Sequence, residues 1–407
     1  MFVSNTPKPP LQNILSINEI RLNQPKSQLS LSYNNGINIY STSDFRMLYT
    51  SNEYDFKLGN IAHCAMIYNT STVAFIGSSD NTTYNNYKVV LYDLNSKSEI
   101  NSIPFNSALT SIDIAFTYLI ISTANDVQIH SFKDEQNIYL VHTIELNINN
   151  KQHQQQRCCP FIVWTTTQKD VDKVNICTFT HKNNEMRIHS FFSSEFVYDK
   201  EELIAITAFN DIERMFYIKE HKMLLAIERN GQRFSGVNVE HKETQYIFYR
   251  GASTGDITDA CGLNDNHIAI VNMKKTIHIY KIEYTKGGYL SYIIPSFLST
   301  NYIYSFIKIR LSDVILNEEN AFFKYSYDKH GCVIFNSLYN NNNELIIIGY
   351  NGYVYKVKLD FINAKYNVVK RDKFVSDEIH NQTVYVPMSS TGKGEDEEEA
   401  QDKWSII

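Results

Sequence analysis

The sequence lacks the residue patterns that mark metal, redox or membrane-spanning sites. Its six cysteines are scattered over 407 residues without a Cys-x-x-Cys pair, so neither a zinc site nor a redox motif is indicated. Nothing suggests a disulfide framework, and the absence of disulfides is typical of proteins in a reducing compartment. No apolar run reaches the ~20 residues of a membrane span, and no signal-peptide pattern begins the chain. We therefore expect a soluble cytosolic protein with no cofactor.

Glycine, proline and tryptophan are also scarce, at 15, 8 and 2 residues. Asparagine and serine must therefore supply much of the turn chemistry. Tyrosine and phenylalanine are abundant, at 28 and 23 residues, and aromatic richness favours strands.

Positive charge is in deficit overall, since the net charge is −6, and this argues against a nucleic-acid partner. The distribution is uneven. Between Arg214 and Arg310 there are 13 Lys and Arg residues against 8 Asp and Glu, whereas Glu395 to Asp402 holds six acids and no base. Such a chain could dock on an anionic surface through a local patch, but not through its total charge.

Motifs for catalysis are absent. The sequence has no Gly-x-Ser-x-Gly elbow, no phosphate-binding loop and no His-Glu-x-x-His pattern. His181 and His189 come nearest to a metal pattern, but their spacing fits no usual zinc site. We expect neither an enzyme nor a metal site.

Short strands recur along most of the chain. A clear example is the alternating run around the turn Asn34-Asn35-Gly36, which predicts a β-hairpin. Similar strands return every 8 to 12 residues or so without a convincing helix between them, which indicates an all-β fold. Four-strand units of ~40 residues favour a seven-bladed β-propeller, with a pair of sandwiches as the alternative.

This pattern divides the chain into three predicted parts. Residues 1–27 form a flexible N-terminal arm, residues 28–362 the propeller, and residues 363–407 a C-terminal extension with an acidic, disordered tail.

Anion-binding groups cluster around Phe248-Tyr249-Arg250-Gly251 and the hairpin that follows. Lys274, Thr276 and His278 lie on that hairpin, and the fork of arginine donors suits phosphate oxygens. An ordinary hairpin whose arginine pairs with a surface carboxylate would produce the same local pattern.

These residues resemble the signature of the PROPPIN family, WD-repeat-like propellers of the autophagy pathway that bind phosphoinositides. The family has Phe/Leu-Arg-Arg-Gly, followed by a Ser-Ser-Asp-Lys-Gly-Thr-x-His hairpin. Here the second arginine, the lysine, the threonine and the histidine match, while Tyr249 replaces the first arginine. The resemblance covers roughly residues 28–360.

The resemblance implies two phosphoinositide pockets, one on each side of the arginine pair. Arg250, Lys274, Thr276 and His278 would form the second pocket. The first is in doubt because Tyr249 and Asn238 stand where the family has arginines, although Arg229 or Arg233 could compensate. We predict one lipid site of modest affinity.

A long loop of blade six inserts into the membrane in this family. The corresponding apolar stretch follows Lys286-Gly287-Gly288, and residues from Ile303 to Ile309 read as the next strand. Its predicted membrane-contacting side chains are Tyr289, Leu290, Tyr292, Ile293, Ile294, Phe297 and Leu298.

The resemblance therefore implies a peripheral membrane adaptor that binds phosphatidylinositol 3-phosphate, the 3,5-bisphosphate or both. It implies autophagy proteins as partners, endosomal, vacuolar or pre-autophagosomal membranes as sites, and a monomer in solution. One rival interpretation is a propeller scaffold that has lost lipid binding. The other is a propeller enzyme with catalytic groups in its central channel.

Overall fold

The computed structural model describes most of the chain between residues 17 and 373. The described ranges are 17–51, 58–134, 137–146, 161–168, 171–180, 185–193, 198–205, 212–228, 231–241, 243–250, 255–272, 276–282, 302–314, 332–336, 343–350 and 352–373.

The first three sheets are antiparallel and four-stranded, with neighbouring strands adjacent in sequence. The first contains β1 (Ile17–Leu22), β2 (Gln28–Tyr33), β3 (Gly36–Ser41) and β4 (Met47–Thr50). The second contains β5 (Ile61–Met66), β6 (Thr72–Gly77), β7 (Lys88–Asp93) and β8 (Ser98–Pro104). The third contains β9 (Leu109–Ala115), β10 (Tyr118–Thr123), β11 (Asp126–Asp134) and β12 (Asn137–Glu145).

The remaining strands repeat this arrangement. The fourth sheet contains β13 (Phe161–Gln168), β14 (Val171–Thr180), β15 (Glu185–Phe192) and β16 (Tyr198–Ala205). The fifth set of strands is β17 (Ile212–Ile218), β18 (Met223–Glu228), β19 (Arg233–Asn238) and β20 (Glu243–Tyr249). The sixth is β21 (Ile257–Asn264), β22 (His267–Asn272), β23 (Thr276–Lys281) and β24 (Tyr302–Arg310). The seventh is β25 (Cys332–Asn336), β26 (Glu344–Gly349), β27 (Tyr353–Asp360) and β28 (Lys365–Lys373).

The seven sets are the blades of a β-propeller, as predicted. Each apolar cluster joins residues of two successive blades, from blades 1 and 2 through to blades 6 and 7. The Tyr350 hydroxyl accepts the Ile20 N–H at 3.4 Å, which brings blade 7 to blade 1 and closes the ring. A sheet buried on both faces reads as near-continuous apolar strands, as in the fully buried β6 and β10.

Helix is minor in the described residues. It amounts to the four-residue α1 (Leu311–Val314) and a single 3₁₀ turn, Lys219–His221. No helix in the described ranges is long and apolar enough to cross a membrane.

The strand-bearing region is longer at both ends than the predicted 28–362. Strand β1 lies inside the predicted arm, and β28 lies inside the predicted extension. A bulge between Ile17 and Glu19 interrupts the alternation of β1, so the period-2 signal is lost there. Strand β28 is the outer strand of its blade and is mostly exposed, so it lacks an apolar pattern. The rest of both predicted segments, residues 1–16 and 374–407, lies outside the described residues.

Blades 5 and 6 are joined in an additional way. Their outer strands β20 and β24 pair in parallel, with Phe248 opposite Ile303 and Tyr249 opposite Tyr304, so the two blades form one eight-stranded sheet. The other described blades are separate four-stranded sheets. This pairing joins the two blades next to the candidate site.

Candidate anion site between blades 5 and 6

Phe248 fixes the end of strand β20 in the core between the two blades. Its ring is fully buried, stacks on Phe234 at 4.7 Å and meets Tyr280 of blade 6 edge-on at 5.5 Å. Just beyond the strand, the Arg250 N–H donates to the Gln232 carbonyl oxygen at 2.8 Å. The aromatic packing of Phe248 and this backbone hydrogen bond together fix the position of Arg250 just beyond β20.

The Arg250 side chain is buried, with 4% of its surface exposed. Loss of water is the largest influence on its pKa, which it lowers, while the neighbouring Tyr280 and Asp256 raise it. An arginine keeps its charge in a protein at any pH of interest. The site therefore contains a permanent positive charge that is largely removed from water, where its attraction for an anion is stronger than at the surface.

His278 lies on β23 close to Arg250 and is also buried, with 7% exposed. Its Nδ1 is 3.2 Å from the Ser305 hydroxyl, and its Nε2 is 3.5 Å from the Asn272 side-chain nitrogen. Burial, Arg250 and Lys308 together lower its pKa to about 4. The imidazole is therefore neutral near pH 7, and an approaching anion would favour its protonation.

Thr276 is two residues before His278, so both side chains lie on the same face of β23. Its N–H donates to the Asn272 side-chain oxygen at 3.2 Å, and this bond closes the β22–β23 hairpin. The structure thus brings Arg250 and His278 together and places Thr276 on the same face of blade 6. Lys274, the fourth predicted ligand, lies outside the described residues.

Three residues of β24 were missed in the sequence prediction. Ser305 contacts the His278 ring, Lys308 pairs across the strands with His278, and Arg310 pairs with Thr276. The prediction of a strand from Ile303 to Ile309 is confirmed. The alternation of apolar and basic residues in this strand already indicated that Lys308 and Arg310 share a face. The register against β23 could not be read from the sequence.

The position of the predicted first pocket holds a different set of groups. Tyr249 packs edge-on against Tyr304, with ring centroids 5.7 Å apart. Its cross-strand neighbour Arg233 binds Glu228 with both arms of its guanidinium, at 2.9 and 3.3 Å. The Glu228 carboxylate is buried, with 7% exposed. Arg233 therefore pairs with a carboxylate. The two guanidinium donors that could bind a phosphate side by side already bind Glu228.

Local turns explain why the chain adopts this pairing. Gly231 has a φ of +60°, and its N–H donates to the Glu228 carbonyl oxygen at 2.7 Å, which turns the chain back towards Glu228. The Asn238 side chain accepts the N–H groups of Glu240 and His241 at 2.8 and 3.0 Å. Asn238, which stands at a family arginine position, thus shapes a turn. Arg229 lies outside the described residues.

The predicted membrane loop also lies outside the described residues, which resume at 302. His181 is outside them too, while His189 is a buried residue of β15. In the described ranges, no group of three or more His, Cys, Asp or Glu side chains is arranged to hold a metal ion.

The fold and site define a β-propeller with a group of basic side chains where blades 5 and 6 meet. Comparisons with solved structures agree on the fold. Hsv2 of Kluyveromyces lactis matches with a TM-score of 0.62 at 12% identity, over 89% of this chain and 100% of that one. KlAtg21, solved in complex with the coiled-coil of AgAtg16, matches with a TM-score of 0.59 at 15% identity, over 88% of this chain and 100% of that one.

Curated sequences point the same way. Autophagy-related protein 18 of Vanderwaltozyma polyspora is 26% identical over 134 residues, which are 33% of this chain and 22% of the relative. Its namesake in Kluyveromyces lactis is 25% identical over 139 residues, 34% of this chain and 26% of the relative. The matches thus span about a quarter of the curated relatives' length. No family model matches the chain. The fold is thus shared with Hsv2 and KlAtg21, and the partial sequence matches to two proteins named autophagy-related protein 18 agree with the resemblance to the PROPPIN family.

Proposed function

We propose that this protein is a phosphoinositide-binding peripheral membrane adaptor, with phosphatidylinositol 3-phosphate, the 3,5-bisphosphate or both as ligands. The observation that carries the proposal is that two buried basic side chains, Arg250 and His278, lie close enough for Arg250 to lower the pKa of His278. A phosphomonoester brings close to two negative charges and three acceptor oxygens at neutral pH. A desolvated guanidinium, a protonatable imidazole and a nearby hydroxyl supply the matching charge and donors.

The names of the relatives support a role in autophagy or in vacuolar and endosomal membrane traffic. The curated relatives are called autophagy-related protein 18, and KlAtg21 was solved with a coiled-coil of AgAtg16. Proteins of the autophagy machinery are accordingly the proposed partners. The protein would act by binding rather than by catalysis, and would associate peripherally with endosomal, vacuolar or pre-autophagosomal membranes.

Vesicle sedimentation tests this proposal. Phosphatidylcholine vesicles would carry phosphatidylinositol 3-phosphate, its 3,5-bisphosphate, phosphatidylinositol 4-phosphate or no phosphoinositide. We expect the protein to pellet with the first two and to stay in the supernatant with the others. Failure to pellet with any vesicle would contradict the proposal.

A second function is favoured by the burial of the site. Arg250 and His278 are only 4% and 7% exposed, and Arg233 on the blade 5 side is paired with Glu228. Both features suit a propeller scaffold that assembles autophagy proteins without binding lipid. The same sedimentation experiment separates the two functions, because a scaffold without lipid binding would stay in the supernatant with every vesicle.

A further inference from the structure

Strand β24 has two chemically different faces. Ile307 and Ile309 are buried, at 2% and 0% exposed, and pack in the core shared with blade 7. Lys308 and Arg310 alternate with them and are exposed. Because successive strand residues point to opposite faces, both cations lie on the side of blade 6 away from blade 7.

The register of β24 places these cations beside the candidate site. Lys308 is directly opposite His278, and Arg310 is directly opposite Thr276. Side chains directly opposite in an antiparallel pair share a face, with Cβ atoms about 4.5–5.5 Å apart. In agreement with this register, Lys308 lowers the pKa of His278.

These two cations lack a carboxylate partner among the residues that the structure describes. Several other exposed cations are paired: Arg187 binds Glu201 at 2.8 Å, and Lys222 binds Glu240 at 2.6 Å. Two uncompensated charges side by side on one strand repel each other, and an anion between them would relieve that repulsion.

We propose that Lys308 and Arg310 form a second phosphate subsite, which extends the Arg250–His278 site along β24. Residues two apart on a strand have Cα atoms roughly 7 Å apart. The two positive charges are therefore spread along the strand instead of meeting at one position. The complete site then takes a polyol carrying two phosphate groups in addition to any linking phosphate. This inference rests on the proposed function, and the ligand could be a lipid headgroup or a free inositol phosphate.

Isothermal titration with soluble headgroups tests the subsite. The ligands are inositol 1,3-bisphosphate and inositol 1,3,5-trisphosphate, and the variant is the double substitution Lys308→Gln with Arg310→Gln. We expect the variant to lose about tenfold in affinity for the trisphosphate and clearly less for the bisphosphate. The salt dependence of trisphosphate binding should also become shallower.

The matched control is the double substitution Lys358→Gln with Lys365→Gln, which removes the same charge from two exposed positions of blade 7. It should leave both affinities unchanged, and thermal unfolding should show that both double variants are folded. A histidine titration by NMR gives a second measurement. Lys308→Gln should raise the pKa of His278, because it removes a repelling charge, and no shift would contradict the placement of Lys308.

The outcomes separate this inference from the proposed function. Wild-type affinity of the β24 variant for both headgroups, with the same salt dependence, would overturn the subsite while lipid binding stands. Failure of the wild-type protein to bind headgroups or phosphoinositide vesicles would overturn both. Binding of the soluble trisphosphate without vesicle binding, weakened by the double substitution, would support the subsite and identify free inositol phosphates as its ligand.

Discussion

The two sides of the β20 terminus differ in the charge that they hold. On the blade 5 side, Arg233 is neutralised by the buried carboxylate of Glu228, and Tyr249 fills the place of a family arginine. On the blade 6 side, Arg250 is desolvated beside His278. Since consecutive residues of an extended chain point in opposite directions, one substitution can remove one pocket and leave its neighbour intact. The comparison teaches that an arginine count does not measure anion binding, because a paired arginine and a desolvated one differ in what they can still attract.

The largest expected effect separates the two arginines. Arg250→Gln should weaken binding to vesicles containing phosphatidylinositol 3-phosphate by roughly 2 kcal/mol or more, about thirtyfold, because a buried charge contact to the ligand is lost. Arg233→Gln should change it less than about threefold, because that guanidinium is bound to Glu228. Vesicle titration measures both, and equal losses would show that the two sides do not differ as described.

A gain of function should follow from restoring the blade 5 side. Tyr249→Arg with Glu228→Gln removes the competing carboxylate and adds the missing guanidinium. We expect vesicle binding to tighten by about tenfold, since a second headgroup on the same membrane binds at high effective concentration. Tyr249→Arg alone is the control, in which Glu228 should capture the new arginine. Equal binding by the double variant and the wild type would mean that the blade 5 side lacks anion binding for reasons beyond Tyr249 and Glu228.

A smaller effect concerns pH. The pKa of free His278 is about 4, and a bound phosphate raises it, so binding takes up a proton between the free and bound pKa values. Affinity for the soluble headgroup should therefore rise as the pH falls from 7.5 towards 5. The effect should be a few-fold, and at most about tenfold per pH unit.

His278→Gln isolates this effect from the titration of the phosphate itself. The wild-type affinity divided by the variant affinity should increase as the pH falls. A ratio independent of pH would contradict a role for His278 as the proton acceptor.

The smallest expected effect tests Ser305 as a positioning residue. Its hydroxyl lies 3.2 Å from His278 Nδ1 and orients the ring. Ser305→Ala should cost about 1 kcal/mol of binding free energy or less, roughly the net worth of one hydrogen bond. It should also change the pH dependence of binding, whereas Ser305→Thr should preserve it. An unchanged pH profile in Ser305→Ala would remove Ser305 from the site.

Much of the fold could be predicted because its strands carry local signals. The hairpin around Asn34-Asn35-Gly36 is confirmed, with β2 ending at Tyr33 and β3 beginning at Gly36. Strand β1 was missed because its bulge hides the alternation, and β28 because an exposed outer strand has no apolar face.

The candidate site was only partly predictable. The local residue pattern and the family resemblance named Arg250, Thr276 and His278, and their role as ligands stays a prediction. Lys308 was missed, since 30 residues separate it from its cross-strand partner His278. The Arg233–Glu228 pair was missed because the sequence does not reveal that the turn at Gly231 brings the two side chains together. Pairing across strands and blades is set by tertiary packing, which local patterns do not encode.

The most direct measurement of the central claim is the number of soluble phosphoinositide headgroups that bind each chain. Isothermal titration with inositol 1,3-bisphosphate should give one headgroup per chain, and that binding should weaken by about thirtyfold or more in Arg250→Gln and persist in Arg233→Gln. Two equivalent sites, or one site that depends on Arg233 rather than Arg250, would contradict the account.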